Sequence, residues 1–336
     1  MNRVYHKIFS FKNIQPSKIS LAYFIKKPDT LSNPSIISNQ LKKEIEIRMA
    51  HRVINLSNFP NYLREYKEIV DVKKMYVESF DKIDRFPKIK NIYDCNTFGN
   101  LLLDIKDRHR YIPMEISKAV QEYKKISNEP PEVLNKVLDQ FYYSRIGIRT
   151  IIDYYNFLFS KDSINNYLHC DIRHVIESAA EDASMASLHY YKDLGLIPKI
   201  DIKLEGNPII SYRPNNLYFI AFEILKNSIR AMVEGNVKKN IEVEINQTTE
   251  SIIFVFRDFG PSVNYDHVKS LFDYSFTSVS ESEQHKKEIL AGFGHGLPLS
   301  RLYAKYFGGN LIFVPYKDIK SEVILYLSKN HTKLIS

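Results

Sequence analysis

Gly292-Phe-Gly-His-Gly-Leu-Pro298 leads directly into Leu299-Ser-Arg-Leu-Tyr-Ala-Lys-Tyr-Phe307 and stops at Gly308-Gly309, and this stretch decides how the C-terminal half is read. The glycines bare backbone N–H groups, Pro298 suits an early helix position, and Gly308 supplies the stop. A glycine loop feeding a helix N-terminus cradles phosphate, because unpaired N–H groups and the helix dipole attract the same anion. The spacing is G-x-G-x-G with no strand immediately before it, so it is not the dinucleotide fingerprint. No Gly-Lys-Ser/Thr follows, which excludes a P-loop. Alone, the stretch reads equally well as a hinge.

Two upstream segments bear on it. In the helix expected over 215–234, Glu223, Asn227, Arg230 and Glu234 fall on one face, with Leu217, Ala221, Ile224, Leu225, Ser228 and Met232 opposite. An acid, an amide and a cation in line can be a base, a metal ligand and a phosphate contact, or simply a solvated face. Arg257-Asp-Phe-Gly-Pro-Ser-Val263 follows the strand-like Ile252–Phe256, so Asp258 and Gly260 sit where a turn lifts a carboxylate toward a ligand or closes an Asx turn. Asp258-Phe-Gly260 also mimics the magnesium triplet of eukaryotic protein kinases, but those place their glycine loop upstream, and here it lies downstream.

The rest of the chain frames these segments. Its 336 residues suggest two domains. The longest apolar run, Leu217–Phe222, is far short of the roughly 20 residues of a membrane span. Two cysteines, Cys95 and Cys170, exclude a disulfide scaffold and a Cys-built zinc site. The net charge of +8 favours acidic partners, yet the cations are scattered and no block resembles a nucleic-acid stripe. Residues 1–28 hold Arg3, Lys7, Lys12, Lys18, Lys26 and Lys27 and no acid, which fits either a mitochondrial transit segment or a basic N-terminus. Residues 40 to about 160 carry four amphipathic stripes, the third kinked at Pro113, and predict an antiparallel bundle. Beyond about 165, the hairpin-like pairs 241–245/252–256 and 311–315/323–327 alternate with helices at 173–192, 215–234 and 297–307. That pattern predicts a mixed sheet with helices on one face.

Taken in order, Glu223-x-x-Lys226-Asn227, Asp258-x-Gly260 and Gly292-x-Gly294-x-Gly296 resemble the GHKL ATPase superfamily. The flanking text, including Phe141-Tyr-Tyr-Ser-Arg-Ile-Gly-Ile-Arg149 and Glu223–Ala231, resembles the mitochondrial 2-oxo acid dehydrogenase kinases from about residue 40 to 328. That resemblance implies a transit segment over 1–28, a four-helix bundle over 29–165, a GHKL-type α/β sandwich over 166–328 and a short tail, 329–336. It implies ATP and magnesium, with Glu223 as catalytic carboxylate and Asn227 as magnesium ligand. Lys226 and Arg230 lie in the nucleotide-binding helix, and Asp258 and Gly260 mark the adenine side. Thr277 and Ser278 match lid hydroxyls; Gly292, Phe293, Gly294, His295, Gly296 and Leu297 match the phosphate loop. His109 matches a histidine that hydrogen-bonds the catalytic glutamate, and Tyr76, Ser144, Arg145 and Arg149 match an allosteric pocket.

Three departures accompany the match. Pro261 and Ser262 replace two glycines of the family's Asp-x-Gly-Gly-Gly, so the lid hinge must differ. Lys320-Ser321 stands for Gly-Thr, where Ser321 keeps the adenine-side hydroxyl. Tryptophan is absent, and with it the tail Asp-Trp pair of pyruvate dehydrogenase kinases.

The implied reading is a matrix protein-serine/threonine kinase that phosphorylates and inactivates the α subunit of a 2-oxo acid dehydrogenase. The implied partners are the lipoyl domain of the dihydrolipoyl acyltransferase core and a second copy of the chain through the C-terminal sheet. Ala50-His-Arg52 and Ser144-Arg-Ile-Gly147 lean toward the branched-chain enzyme, and the uninterrupted Leu290–Phe307 leans toward the pyruvate enzyme. The competing readings are a histidine autokinase and a catalytically weak scaffold on the acyltransferase core.

Overall fold

The computed structural model describes residues 2–17, 19–20, 33–159, 169–191, 197–206, 208–261, 263–276, 295–329 and 334–335. The chain divides into two compact units, Met1–Tyr167 with Leu334–Ser336, and Leu168–Lys333.

The first unit is helical: α1 (Asn2–Ser10), α2 (Pro34–Ser57), α3 (Lys67–Arg85), α4 (Ile92–Arg108), α5 (Ile112–Ile126) and α6 (Pro131–Phe159). α2 packs on α3 and α6, α4 on α6, and α5 on α3, so α4 and α5 together make the bundle's third rod. Pro113 lies in the first turn of a new helix, α5, and does not kink a continuous one. Pro lacks only an N–H that the first turn leaves unpaired anyway. The core is aromatic, with Tyr76, Phe80, Phe98, Phe141 and Tyr155 buried.

The basic N-terminus packs on the helical unit. Ile8 and Phe11 are fully buried, and Phe11 meets Phe80 edge-on at 5.7 Å. Lys7 pairs with Asp84. The buried Arg48–Glu44 pair grips one peptide, Glu44 accepting from Ser17 N at 3.0 Å and Arg48 donating to Ser17 O at 2.8 Å. β1 (Ile19–Ser20) then pairs antiparallel with β9 (Leu334–Ile335), so the expected tail also belongs to this unit.

The second unit holds β2 (His169–Asp171), α7 (Ile172–Tyr190), β3 (Ile200–Leu204), β4 (Ile209–Ser211), α8 (Pro214–Glu234), β5 (Ile241–Gln247), β6 (Ser251–Asp258), α9 (Gly296–Tyr306), β7 (Asn310–Tyr316) and β8 (Lys320–Ser328). The main sheet runs β3-β5-β6-β8-β7, parallel only at β3–β5, and β2 pairs separately with β4. Ile252, Phe254 and Phe256 point into the core, where α8 and α9 pack, while Ile253, Val255 and Arg257 face outward. The unit is thus a helix layer on a mixed sheet. The β7–β8 turn that lost its glycine places Asp318 at φ 56, a left-handed conformation that aspartate tolerates.

Candidate functional site

α8 supplies the acid. Leu217, Ala221, Ile224, Leu225, Ser228 and Met232 are buried, as the stripe predicts. Glu223 and Lys226 are buried as well, at 8% and 4% exposure, which a merely solvated face does not require. Lys226 Nζ donates to both Glu223 oxygens, at 2.8 and 2.9 Å, so the carboxylate enters the interior with a cation beside it. The same ammonium lies 5.4 Å from the centre of the Phe222 ring.

Gly296 explains its own residue type. A Cβ there would run into Glu223 Oε2, so the carboxylate sits against the first residue of α9. Free N–H groups and the positive dipole end of α9 therefore lie beside Glu223. Leu297 is half-buried in the same turn. His295 precedes it, packed edge-on against Tyr274 at 5.0 Å, and burial holds its pKa down to about 3. The imidazole is neutral there and leaves the negative charge of the site to Glu223.

Asn227 is half-buried on α8, and its side chain makes no hydrogen bond among the described residues. A free amide oxygen one residue from the Glu223–Lys226 pair suits a hard cation, which takes oxygen ligands. Among the described residues no group of three or more His, Cys, Asp or Glu could hold a metal, so a magnesium ion at Asn227 would rely on ligands beyond such a cluster, such as nucleotide phosphates and water. Arg230, by contrast, turns to Glu234 at 3.1 Å, which also accepts from Tyr191.

Asp258 ends β6. Its Oδ1 accepts from Gly260 N and its Oδ2 from Ser228 Oγ, each at 3.2 Å. Burial without a cation raises its pKa to about 6. Gly260 lies so close to α8 that a Cβ would stand 2.7 Å from the Ala231 carbonyl carbon. Ser321, buried, is the cross-strand partner of Asp258 in the β6–β8 ladder, on the side where the sequence places it. Pro261 rests on the end of α8: a Cβ at Gly235 would lie 2.8 Å from Pro261 Cγ. Thr277, Ser278, Gly292, Phe293 and Gly294 lie outside the described residues, as does Ser262.

The helical unit has its own cluster. His109 Nε2 is 2.8 Å from Ser79 Oγ, Arg108 Nη2 donates to the same hydroxyl at 2.5 Å, and Arg145 Nη2 donates to His109 O at 2.8 Å. The Tyr76 ring packs on the imidazole at 4.6 Å. Burial first, then Arg145, Arg108 and Arg149, push the His109 pKa down to about 3. Burial raises the Tyr76 pKa against the pull of Arg145, Arg52 and Arg149. The structure thus joins Tyr76, Arg145 and Arg149 around His109 and adds Ser79 and Arg108; Ser144 makes none of these contacts. Ser79 lies one helical turn from Tyr76, a spacing that could have flagged it.

Two family models match the chain. One, described as mitochondrial branched-chain alpha-ketoacid dehydrogenase kinase, matches residues 18–177. The other, described as histidine kinase-, DNA gyrase B- and HSP90-like ATPase, matches residues 212–331 and so spans Glu223, Asn227, Asp258 and the glycine loop. The chain belongs to the mitochondrial 2-oxo acid dehydrogenase kinase family, within the GHKL superfamily. Among curated members of this kinase family, the mitochondrial pyruvate dehydrogenase (acetyl-transferring) kinase of Arabidopsis thaliana is 29% identical over 93% of this chain and 90% of its own length. Isozyme 1 of Rattus norvegicus is 28% identical, covering 97% of this chain and 80% of its own. The Schizosaccharomyces pombe kinase is 28% identical over 92% of each.

Proposed function

We propose that this kinase transfers the γ-phosphoryl group of ATP to a serine or threonine hydroxyl on the α subunit of a mitochondrial 2-oxo acid dehydrogenase, of the pyruvate or the branched-chain type. One observation carries the reading: a buried carboxylate, Glu223, seated on the glycine that opens α9 and held by Lys226. Phosphoryl transfer rests mainly on positioning and charge stabilisation. Glu223 orients and accepts the proton of the attacking hydroxyl, and Lys226 fixes its carboxylate beside the phosphate-facing helix end. N–H groups at Gly296 and Leu297 receive the phosphates, and Asp258 with Ser321 receives the adenine. Magnesium, when bound, neutralises phosphate charge, and Asn227 is the residue that would hold it.

His109 we assign to the Tyr76–Arg145–Arg149 cluster, since its Nε2 already faces Ser79 and the Glu223 oxygens face Lys226. Three guanidiniums around a neutral imidazole suit a small anion, which makes this the regulatory pocket. The autokinase reading is disfavoured because His109, at 5% exposure, offers no accessible phosphate acceptor. The location is the mitochondrial matrix, the docking partner is the lipoyl domain of the acyltransferase core, and the assembly is a homodimer through the outer face of the main sheet.

Labelled Mg-ATP incubated with purified pyruvate and branched-chain dehydrogenase complexes, side by side, tests the proposal. Acid-stable label on one α subunit supports it and names the substrate. Label on neither, with ATP bound normally, returns the scaffold reading.

A further inference from the structure

A groove of about 840 Å³ lies between α1, the C-terminal end of α2 and α3, remote in sequence from every residue placed in the kinase chemistry. That volume falls within the range of small-ligand sites, roughly 300–1,000 Å³. α3 lines it with Val70, Lys73, Lys74 and Val77, which share one helical face at i, i+3, i+4 and i+7. The opposite face of α3, through Ile69, Val72, Tyr76, Phe80 and Ile83, is spent on the core. α1 supplies Val4 and Tyr5, and α2 supplies Leu56.

The charges in the groove do not cancel locally. Glu78 pairs with Arg108 at 3.1 Å and Asp81 with Arg85 at 2.9 Å. Arg64, Lys73 and Lys74 have no ion pair among the described residues and Glu65 is the one acid of the lining without one, so positive charge is in excess where the groove brings Arg64 and Lys73 together. Lys73 is half-buried with its ammonium 5.9 Å from the Tyr5 ring. We propose that this groove is a binding site for an amphiphilic organic anion, with the head between Arg64 and Lys73 and the apolar body along Val4, Val70 and Val77.

The electrostatics agree with that geometry. Burial and the neighbouring Arg64 both depress the Lys73 pKa, so the groove disfavours this cation unless an anion joins it. A carboxylate or phosphate head relieves both effects at once, and a cation adds to them. The apolar wall gives the ligand its body: Val70 is half exposed on a helix that has already filled its core face. Such a body loses hydration on binding, which a bare small anion does not.

Calorimetric titration of the full chain tests this, with Mg-ATP in excess so that the phosphate-binding helix end is occupied. The probes are octanoate and octyl phosphate, with octylammonium and butyrate as controls for charge sign and apolar length. Saturable binding of octanoate, of octyl phosphate or of both that depends on Arg64 and Lys73, with no such component for either control, is the expected result; which probe binds tells a carboxylate source from a phosphate-ester source. The double variant R64M/K73M should bind at least about tenfold more weakly with an unchanged melting temperature, while Lys73→Arg retains affinity. Absence of saturable heat for both probes below their micelle concentrations overturns the proposal. So does binding that is unchanged in R64M/K73M, since the anion then sits elsewhere.

Discussion

At the scale of single residues, Asp258 stands out because the fold disfavours the charge its role requires. Its neighbours are a serine, a glycine N–H and apolar surface, and no cation offsets the burial. The folded pKa, about 6, lies above the ordinary 3.8, so the folded chain binds the proton more tightly than the unfolded chain does. Stability from this group is therefore fully present below about pH 4 and lost as pH rises through about 6. Asp258→Asn should stabilise the protein at pH 7 by about 1–3 kcal/mol and change little near pH 3.5, read from denaturant midpoints at both values. The same variant should lose ATP affinity, because the amide presents a donor where an adenine amine needs an acceptor. In the wild type, nucleotide affinity should fall as pH drops through 6. A variant no more stable than wild type at pH 7 would remove the argument. The position was legible from Asp-x-Gly after a strand, but its burial was not, because Ser228 and Ser321 reach it from other elements.

Glu223 and Asn227 separate binding from transfer. Glu223→Gln keeps the shape and one acceptor for Lys226, so ATP should still bind while turnover falls about 10²–10⁴-fold, the usual share of general acid–base catalysis. Asn227→Ala should weaken Mg-ATP binding itself. Equilibrium dialysis of labelled ATP and single-turnover transfer, run on both variants, tell the two apart. Equal loss of binding in both would place Glu223 in nucleotide retention instead.

At the scale of elements, periodicity found what local pattern can find. α2, α3, α6, α7, α8 and α9 follow stripes visible in the sequence, and β5–β6 and β7–β8 follow hairpin signals. β3 escaped notice although Ile200-Asp-Ile-Lys-Leu204 alternates, since a parallel partner such as β5 leaves no turn nearby to announce the pair. The packing of α1 is hidden for a related reason. Its basic, acid-free text matches an import segment, and the acids that pair with α1 and with Ser17 after it, Asp84 and Glu44, lie on other helices. Phe11→Ala should consequently lower the stability of the helical unit by about 3–5 kcal/mol, the usual range for a fully buried phenylalanine. Circular dichroism melts of that variant serve as the check; an unshifted melt would return α1 to the status of a loose segment. Gly296→Ala belongs to the same scale, because its methyl group meets Glu223 at the mouth of α9. It should reduce turnover more than stability, the carboxylate being the part that yields.

At the scale of the whole molecule, the proposed homodimer rests on the outer face of the main sheet. The β6–β8 and β8–β7 registers set Ile253 beside Tyr326, and Ile324 between Val255 and Ile312. Val314 extends this apolar strip, and Arg257, bonded to Glu322 at 2.7 Å and Glu244 at 2.6 Å, borders it with paired charge. Ile312 is 48% exposed and Tyr326 37%, so the strip is open in the single chain. An isolated exposed isoleucine needs no explanation, but an apolar patch rimmed by polar groups on a flat sheet marks a contact surface. The proposed homodimer uses this strip through a two-fold axis, where each residue meets its own counterpart or a near neighbour. Ile324→Asp puts two carboxylates together at that axis, and like charges so placed cost several kcal/mol. The inward neighbours Val323 and Leu325 stay buried in the variant, so the fold and the ATP site should survive. Light scattering at micromolar concentration should therefore give twice the chain mass for the wild type and the single-chain mass for Ile324→Asp, with ATP affinity per chain unchanged. A wild type that scatters as one chain throughout that range, or a variant that stays paired, would move the contact off this face.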